Sequence, residues 1–361
     1  METPFRNSAG RRLASFAALA LAAVAGCGPR ETASPAAVPE YAFITNGVAD
    51  FWTIGKAGAE RAAADLGVKV SVIMPSSITD QTRKVEDLVT RGTAGIAISP
   101  INPANQGEML EKAAAATNLI THDSDAPQSS RKAYIGMDNY EAGLICGKLV
   151  RDALPDGGKV MLFIGRLDQD NSQRRRQGCV DGILGREPDA SRRDDPGAVL
   201  SSDDGKYTIL GTMTDQFDRA KAKANAEDAV LRHADVAAMV GLFEYNPPLI
   251  LEALERAGRL REVKVIAFDE SQAVLQGIAD GTVVGTVVQN PYQYGYRSVE
   301  LLHALAAGKA DAVPESRFIN IPARVVLPDD SRKEFAGAKV IPVVAFREEL
   351  GKLLSGSKAA R

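Results

Sequence analysis

Residues 41–73 read YAFITNGVADFWTIGKAGAERAAADLGVKVSVI, and their rhythm is repeated along the chain. Residues 41–45 are a short apolar run of the kind that forms a buried strand. Ile54, Ala57, Gly58, Ala62 and Leu66 then recur at helical spacing, and Gly67 stops that helix. Residues 68–73 supply the next strand. Working outward, the pattern predicts helices over 79–90 and 105–116 and strands over 94–98 and 118–121. Strands alternating with amphipathic helices predict a parallel sheet covered on both faces.

The alternation restarts after Asp138. Helices are expected over 140–154, 173–184, 219–232, 248–257, 271–279 and 292–307, and strands over 159–164, 207–212, 236–241, 263–268 and 282–288. Pro155-Asp156-Gly157-Gly158 is a strong turn. Residues 186–206 are polar and turn-rich and read as an exposed loop; residues 318–327 read as extended. The fold class is therefore α/β with two doubly wound units. Their 361 residues are enough for two domains with separate cores.

The N-terminus departs from this body. Arg6, Arg11 and Arg12 precede an apolar run over residues 13–25, about 20 Å long as a helix and too short to cross a bilayer. Basic, apolar, then small residues form an export-signal pattern. It ends in Val24-Ala25-Gly26-Cys27, which resembles a lipobox, with Cys27 as the lipidated first residue of the mature chain. An ordinary secretory signal with a chance cysteine is the alternative. Residues 1–26 are thus read as a lipoprotein signal peptide. Residues 27–40, rich in Pro, Ala and Ser, are read as a tether. A net charge of −3 gives no electrostatic case for a nucleic-acid partner. Three scattered histidines and three cysteines (Cys27, Cys146, Cys179) lack metal-site spacing. Cys146 and Cys179 fall on predicted helices, as buried thiols or, in an exported protein, a disulfide.

Open parallel sheets place ligands at the carboxyl ends of their strands. Asp123, Asn246, Asp269 and Gln289 each follow a predicted strand there. The order and spacing of several motifs resemble the ribose- and galactose-type periplasmic sugar-binding proteins of ABC importers. The motifs are Asp50-Phe51-Trp52, Arg91-Gly92-Thr93-Ala94-Gly95-Ile96 with Ser99-Pro100, Thr121-His122-Asp123, Tyr134-Ile135-Gly136-Met137-Asp138-Asn139 with Gly143, Asn171-x3-Arg175-x2-Gly178, Phe268-Asp269 and Gln289-Asn290-Pro291. The resemblance covers about residues 41–327. It implies two similar doubly wound lobes joined by a three-strand hinge. Lobe one is 41–137 plus 290–320 and lobe two 138–289 plus 321–346, with 347–361 a C-terminal tail. Crossovers are expected near Met137-Asp138, Gln289-Asn290 and Ile321-Pro322. Ser124 departs from the family, which often has arginine there; Asp125 follows it. That argues against a ribose-like pocket.

A sugar presents hydroxyls around a rim and apolar C–H faces. Carboxylates accept from hydroxyls and arginine donates in a fork. Asp123, Arg175, Asn246, Asp269 and Gln289 supply the rim, with Asn46 from the first strand. Phe51 and Trp52 supply ring faces, and Phe217 covers the other side. Each has a plainer reading. Trp52 fits a core, Asp123 and Asp269 fit helix caps, and Asn246 before Pro247-Pro248 fits a cap. Arg175 lies in the solvated-looking run Arg174-Arg175-Arg176, Gln289 could bond the hinge backbone, and Asn46 could form a turn.

The expected function is capture of a small monosaccharide for a membrane permease by a lipid-anchored monomer. No cofactor, metal or nucleic acid is expected. A sugar-responsive repressor shares this body, but an export signal stands where its DNA-binding helices belong. A receptor module for chemotaxis or a sensor kinase is the alternative the sequence leaves open. Nucleophile elbow, P-loop and metal motifs are missing, although Asp123 and Asp269 could imitate a glycosidase pair.

Overall fold

A computed structural model describes residues 38–328 and 332–358. The lipobox and Cys27, most of the tether, and the last three residues of the C-terminal tail lie outside the described residues. The chain runs β1 (Glu40–Ile44), α1 (Asp50–Leu66), β2 (Lys69–Ile73), α2 (Ile78–Thr90), β3 (Gly95–Ile98), α3 (Gly107–Ala116), β4 (Asn118–His122) and β5 (Tyr134–Gly136). It continues through α4 (Asn139–Ala153), β6 (Gly158–Ile164), α5 (Asp170–Leu184), β7 (Leu200–Ser201), β8 (Tyr207–Thr214), α6 (Arg219–Arg232), β9 (Val236–Gly241), α7 (Asn246–Arg256), β10 (Lys264–Phe268), α8 (Gln272–Asp280) and β11 (Gly285–Val288). It ends with α9 (Pro291–Ala306), β12 (Phe318–Asn320), β13 (Arg324–Leu327), β14 (Glu334–Phe335), β15 (Ala338–Pro342) and α10 (Val343–Lys358).

Two sheets result, ordered β12-β5-β4-β3-β1-β2 and β14-β15-β13-β11-β10-β9-β6-β8-β7. The chain passes between them at 137–138, 289–290 and 321–323, which makes the three-strand connection expected for this fold class. Strands such as Val160 to Ile164 are buried residue after residue, because helices cover both faces of a parallel sheet. Side-chain caps start the helices that lead away from the crossovers. Asp138 accepts from the Tyr140 and Glu141 amides at α4, and Asn290 accepts from Gln293 at α9.

The two sheets repeat one packing device. Helix α4 lies on α5, and α1 lies on α9, each pair with glycines at the contact. A Cβ added at Gly178 would meet the Tyr140 carbonyl oxygen at 2.0 Å, and one at Gly295 would meet the Gly55 oxygen at 2.0 Å. Backbone therefore touches backbone, and no side chain fits between.

Residues 186–206 are more than an exposed loop. Asp181 on α5 is fully buried and binds Arg192 at 2.6 Å, Arg186 at 3.6 Å and the Tyr140 hydroxyl at 2.7 Å. Asp194 in turn pairs with Arg186 at 2.7 Å and accepts from Gln177 at 2.7 Å. A carboxylate with no solvent needs such partners, and the loop brings them. The last described segment is the helix α10, which takes in most of residues 347–361, with Phe346 buried against the second sheet's core and Glu349 paired to Arg324 at 2.6 Å. The apolar positions Val343 and Phe346, three apart, give that helix its buried side.

Replacing Gly178 by Ala tests the helix contact. Alanine favours a helix over glycine by about 1 kcal/mol, but the methyl group meets backbone that cannot move aside, an overpacking cost of about 1–3 kcal/mol. Thermal unfolding should show a lower Tm for Gly178→Ala than for the parent.

Candidate functional site

Two aspartates stand in matching places. Asp123 follows β4 with φ 58°, and Asp269 follows β10 with φ 63°. Aspartate is among the few residues that visit this left-handed region. The amide of Asp123 donates to the Ile135 oxygen at 3.0 Å and that of Asp269 to the Val287 oxygen at 2.7 Å. Each bond ties the turn to the neighbouring strand and aims the carboxylate off the sheet's end. Neither aspartate caps a helix; Ser271 is the cap of α8.

The side chains around them come from both sheets. Asp123 accepts from Ser99 at 2.8 Å and from Asn46 at 3.2 Å, and Asn46 accepts from the Trp52 indole at 3.0 Å. Asp269 accepts from Gln289 at 3.0 and 3.2 Å, and Gln289 accepts from the Tyr294 hydroxyl at 3.1 Å. Gln289 also offers its backbone carbonyl to Arg324 at 3.5 Å, while its side chain bonds other side chains and not the hinge backbone.

Arg175 lies between the aspartates. It is 1% exposed, so the arginine run is not a solvated face here. Its guanidinium stacks on Phe268 at 4.0 Å, donates to the Leu242 oxygen at 2.9 Å and to Asn139 at 3.0 and 3.2 Å, and sits 3.8 Å from Asp269. Asn171, one turn earlier on α5, is near enough to Asp123 to favour its charged form, and Asn102 donates to Asp168 at 2.9 Å. Both pairs join residues attached to different sheets.

On the second sheet's side, Asn246 opens α7 without capping it and donates to Asp215 at 2.9 Å. Its buried oxygen has no partner. Asp215 also accepts from the Tyr245 hydroxyl and, at 2.9 Å, from the Phe217 amide. That turn holds Gln216 at φ 62° and Phe217 at φ 64°, a conformation costing about 1–3 kcal/mol for a bulky residue. Phe217 is 40% exposed and stacks on Phe243 with centroids 5.7 Å apart. Phe51 is half-buried at the start of α1. Trp52 is corrected from a site face to a core residue, 2% exposed and packed on Phe43 and His122, and its part in the site is to orient Asn46. Ser124, where the family often has arginine, is buried with an unpartnered hydroxyl, while Asp125 is held by Arg131 at 2.5 Å.

The electrostatics follow from burial. Desolvation raises the Asp123 carboxyl to about 6; Arg175 and the Ser99 bond oppose the rise, and Asp269 adds to it. Desolvation also raises Asp269, again opposed by Arg175. Glu244 is pushed up to about 7 by burial and then by Asp269. Dry carboxylates, a fixed guanidinium and amides that both donate and accept suit a ligand rich in hydroxyls.

Sequence reasoning selected both aspartates, Arg175, Asn246 and Gln289. It missed Asp215, Asn102, Asp168, Asn139 and Glu244. Asp215 had a visible signal, an aspartate two residues before an aromatic at a strand's end. The bonds of Asn102 and Asp168 depend on how the sheets meet, which no local pattern shows.

Comparison with known proteins follows the same outline. A family described as periplasmic binding protein domain matches residues 41–310. The ribose import binding protein RbsB of Salmonella typhimurium is 24% identical over 261 residues, 72% of this chain and 81% of that protein. RbsB of Bacillus subtilis is 26% identical over 262 residues, 72% of this chain and 78% of that protein. Among solved structures, an ABC transporter solute-binding protein from Burkholderia graminis in complex with D-arabinose aligns with TM-score 0.71 and 25% identity, over 82% of this chain and 98% of that one. The glucose-galactose binding protein GanP of Geobacillus stearothermophilus aligns with TM-score 0.72 and 23% identity, over 81% and 99%, and shares the fold.

Asp123 gives a pH test. Its folded carboxyl titrates near 6 and its unfolded one near 3.8, so the folded state holds its proton more tightly. Its contribution to stability is complete below about pH 4 and is lost as pH rises through 6, a loss of roughly 3 kcal/mol. Asp123→Asn removes the titration. Urea unfolding should show the variant gaining stability over the parent from pH 4 to pH 8; an equal difference at both pH values would contradict the burial argument.

Proposed function

The chain belongs to the periplasmic binding protein domain family, and from that premise we propose that it captures a small monosaccharide between its two lobes and delivers it to the permease of an ABC importer. Membership places it among binding proteins and not among enzymes. The observation that carries the sugar reading is the Asp123–Arg175–Asp269 cluster. It draws on both sheets and is flanked by the amides of Asn46, Asn171 and Gln289. Charge-assisted bonds to such groups contribute about 1.5–3 kcal/mol each. Phe51 and Phe217, partly exposed, supply apolar faces for the ring. The relatives whose names include ribose, D-arabinose and glucose-galactose support the class of ligand. Ser124 in place of arginine supports a pocket different from ribose's.

The mechanism is a clamp. We assign lobe one to 41–137 plus 290–320 and lobe two to 138–289 plus 321–346, with the crossovers as hinge. A sugar bound to one lobe gains bonds from the other only on closure, so it shifts the population toward the closed form. The Asn102–Asp168 bond is a direct tie between the lobes so assigned, and Asn171 approaches Asp123 across the same boundary.

A thermal-shift screen over common monosaccharides should find one that raises Tm by several degrees. Calorimetry with that sugar should show no measurable binding to Asp269→Ala, and Arg175→Lys should bind at least roughly 100-fold more weakly, since a lysine cannot supply the fork. Unchanged affinity in either folded variant would contradict the site.

We further assign the chain to the cell envelope as a lipid-anchored monomer held through Cys27. The basic start, the apolar run and Val24-Ala25-Gly26-Cys27 support this. The anchor and the tether over 27–40 would hold the clamp near its permease. Labelled palmitate should enter the parent and not Cys27→Ser, and Cys27→Ser should move from the membrane fraction to the soluble fraction.

A further inference from the structure

Two cysteines lie outside the site. Cys146 on α4 and Cys179 on α5 are free and fully buried. They sit where the two helices touch backbone to backbone. A Cβ at Gly143 would lie 2.8 Å from the Cys179 nitrogen, and one at Gly147 would lie 2.5 Å from the Cys179 oxygen. The backbone of Cys179 is therefore laid across the single turn of α4 that contains Cys146. The Cys146 thiol is near enough to Cys179 to raise its pKa. A disulfide needs Cα atoms within about 7 Å and Cβ vectors that converge. Backbone contact on both sides of Cys146 brings the two residues to that kind of range.

We propose that Cys146 and Cys179 form a disulfide that staples α4 to α5 in the mature protein. The proposal rests on the export reading above, because an oxidising compartment sustains such bonds. The oxidant is a disulfide, either of a protein oxidoreductase or of a small thiol. One cysteine thiolate attacks it and releases one thiol; the second thiolate attacks the mixed disulfide and releases the other. Two protein thiols and one oxidant disulfide become the Cys146–Cys179 bond and two oxidant thiols, so two electrons and two protons pass to the oxidant. The Cys179 thiol is held well above its ordinary range by the Cys146 thiol and by burial, so it is a poor nucleophile once packed. In the proposed order the bond forms before the two helices finish docking, and packing then shields it. Arg175 lies one turn before Cys179 on α5, so the staple also fixes the helix that carries the guanidinium.

The test separates the bond from the export reading. The full chain with Cys27→Ser, which leaves only the two helical cysteines, is refolded with glutathione and glutathione disulfide, quenched in acid, denatured and alkylated. Peptide mass spectrometry should find Cys146 linked to Cys179 and neither alkylated, and the oxidised form should melt roughly 5 °C above the reduced form. Two alkylated cysteines in the folded protein, or an oxidised form that melts below the reduced one, would overturn the proposal. The same trapping is applied to the unaltered chain in fractionated cells. The linked peptide in the envelope fraction supports the bond, and free thiols there overturn it. A chain confined to the cytosol overturns the export reading instead, and the refolding result then decides the bond.

Discussion

A single guanidinium, buried between two aspartates, is the constraint on which the site depends. Arg175 has almost no contact with solvent, and Asp123 and Asp269 are nearly as dry. Burial alone would push both carboxyls toward their neutral forms, and the arginine is what opposes this. The arginine in turn is tolerated because Asn139, the Leu242 carbonyl and the Phe268 ring take up its donors and its face. Asn139 belongs to the first turn of α4, so the fit of α4 against α5 sets where the charge sits. The glycine contacts that bring those helices together thus help to place the guanidinium of the proposed site.

Backbone geometry does the same work twice. Each sheet ends a strand in an aspartate at positive φ, tied by its amide to the next strand. Each sheet also pairs two helices through glycines. The proposed clamp draws on this repetition, with matching polar groups offered from each sheet. The hinge crossings stay short, so closure can turn the lobes without disturbing either core.

Much of this was legible in the sequence, for physical reasons. Strand and helix periods differ enough that the alternation from Tyr41 onward is unambiguous, and strand ends mark Asp123, Asn246, Asp269 and Gln289. Arg175 was chosen by its spacing from Asn171 and Gly178 and not by its surroundings, which look like a surface run. Trp52 was harder, since an aromatic beside a strand end can face either a ligand or the core, and only packing decides. Asp215 and Asn102 were missed because their roles come from partners 31 and 66 residues away, Asn246 and Asp168. The anchoring of residues 186–206 was missed for a similar reason, since a buried Asp181 looks like any other helical aspartate until its arginines are placed.

The most direct measurement is a crystal structure with the monosaccharide that most raises the melting temperature. Sugar hydroxyls within hydrogen-bond distance of Asp123, Arg175 and Asp269, with lobes closed around the ring, are the result this account predicts. A sugar bound elsewhere, with those three side chains still bonded only to one another and to protein neighbours, would contradict it.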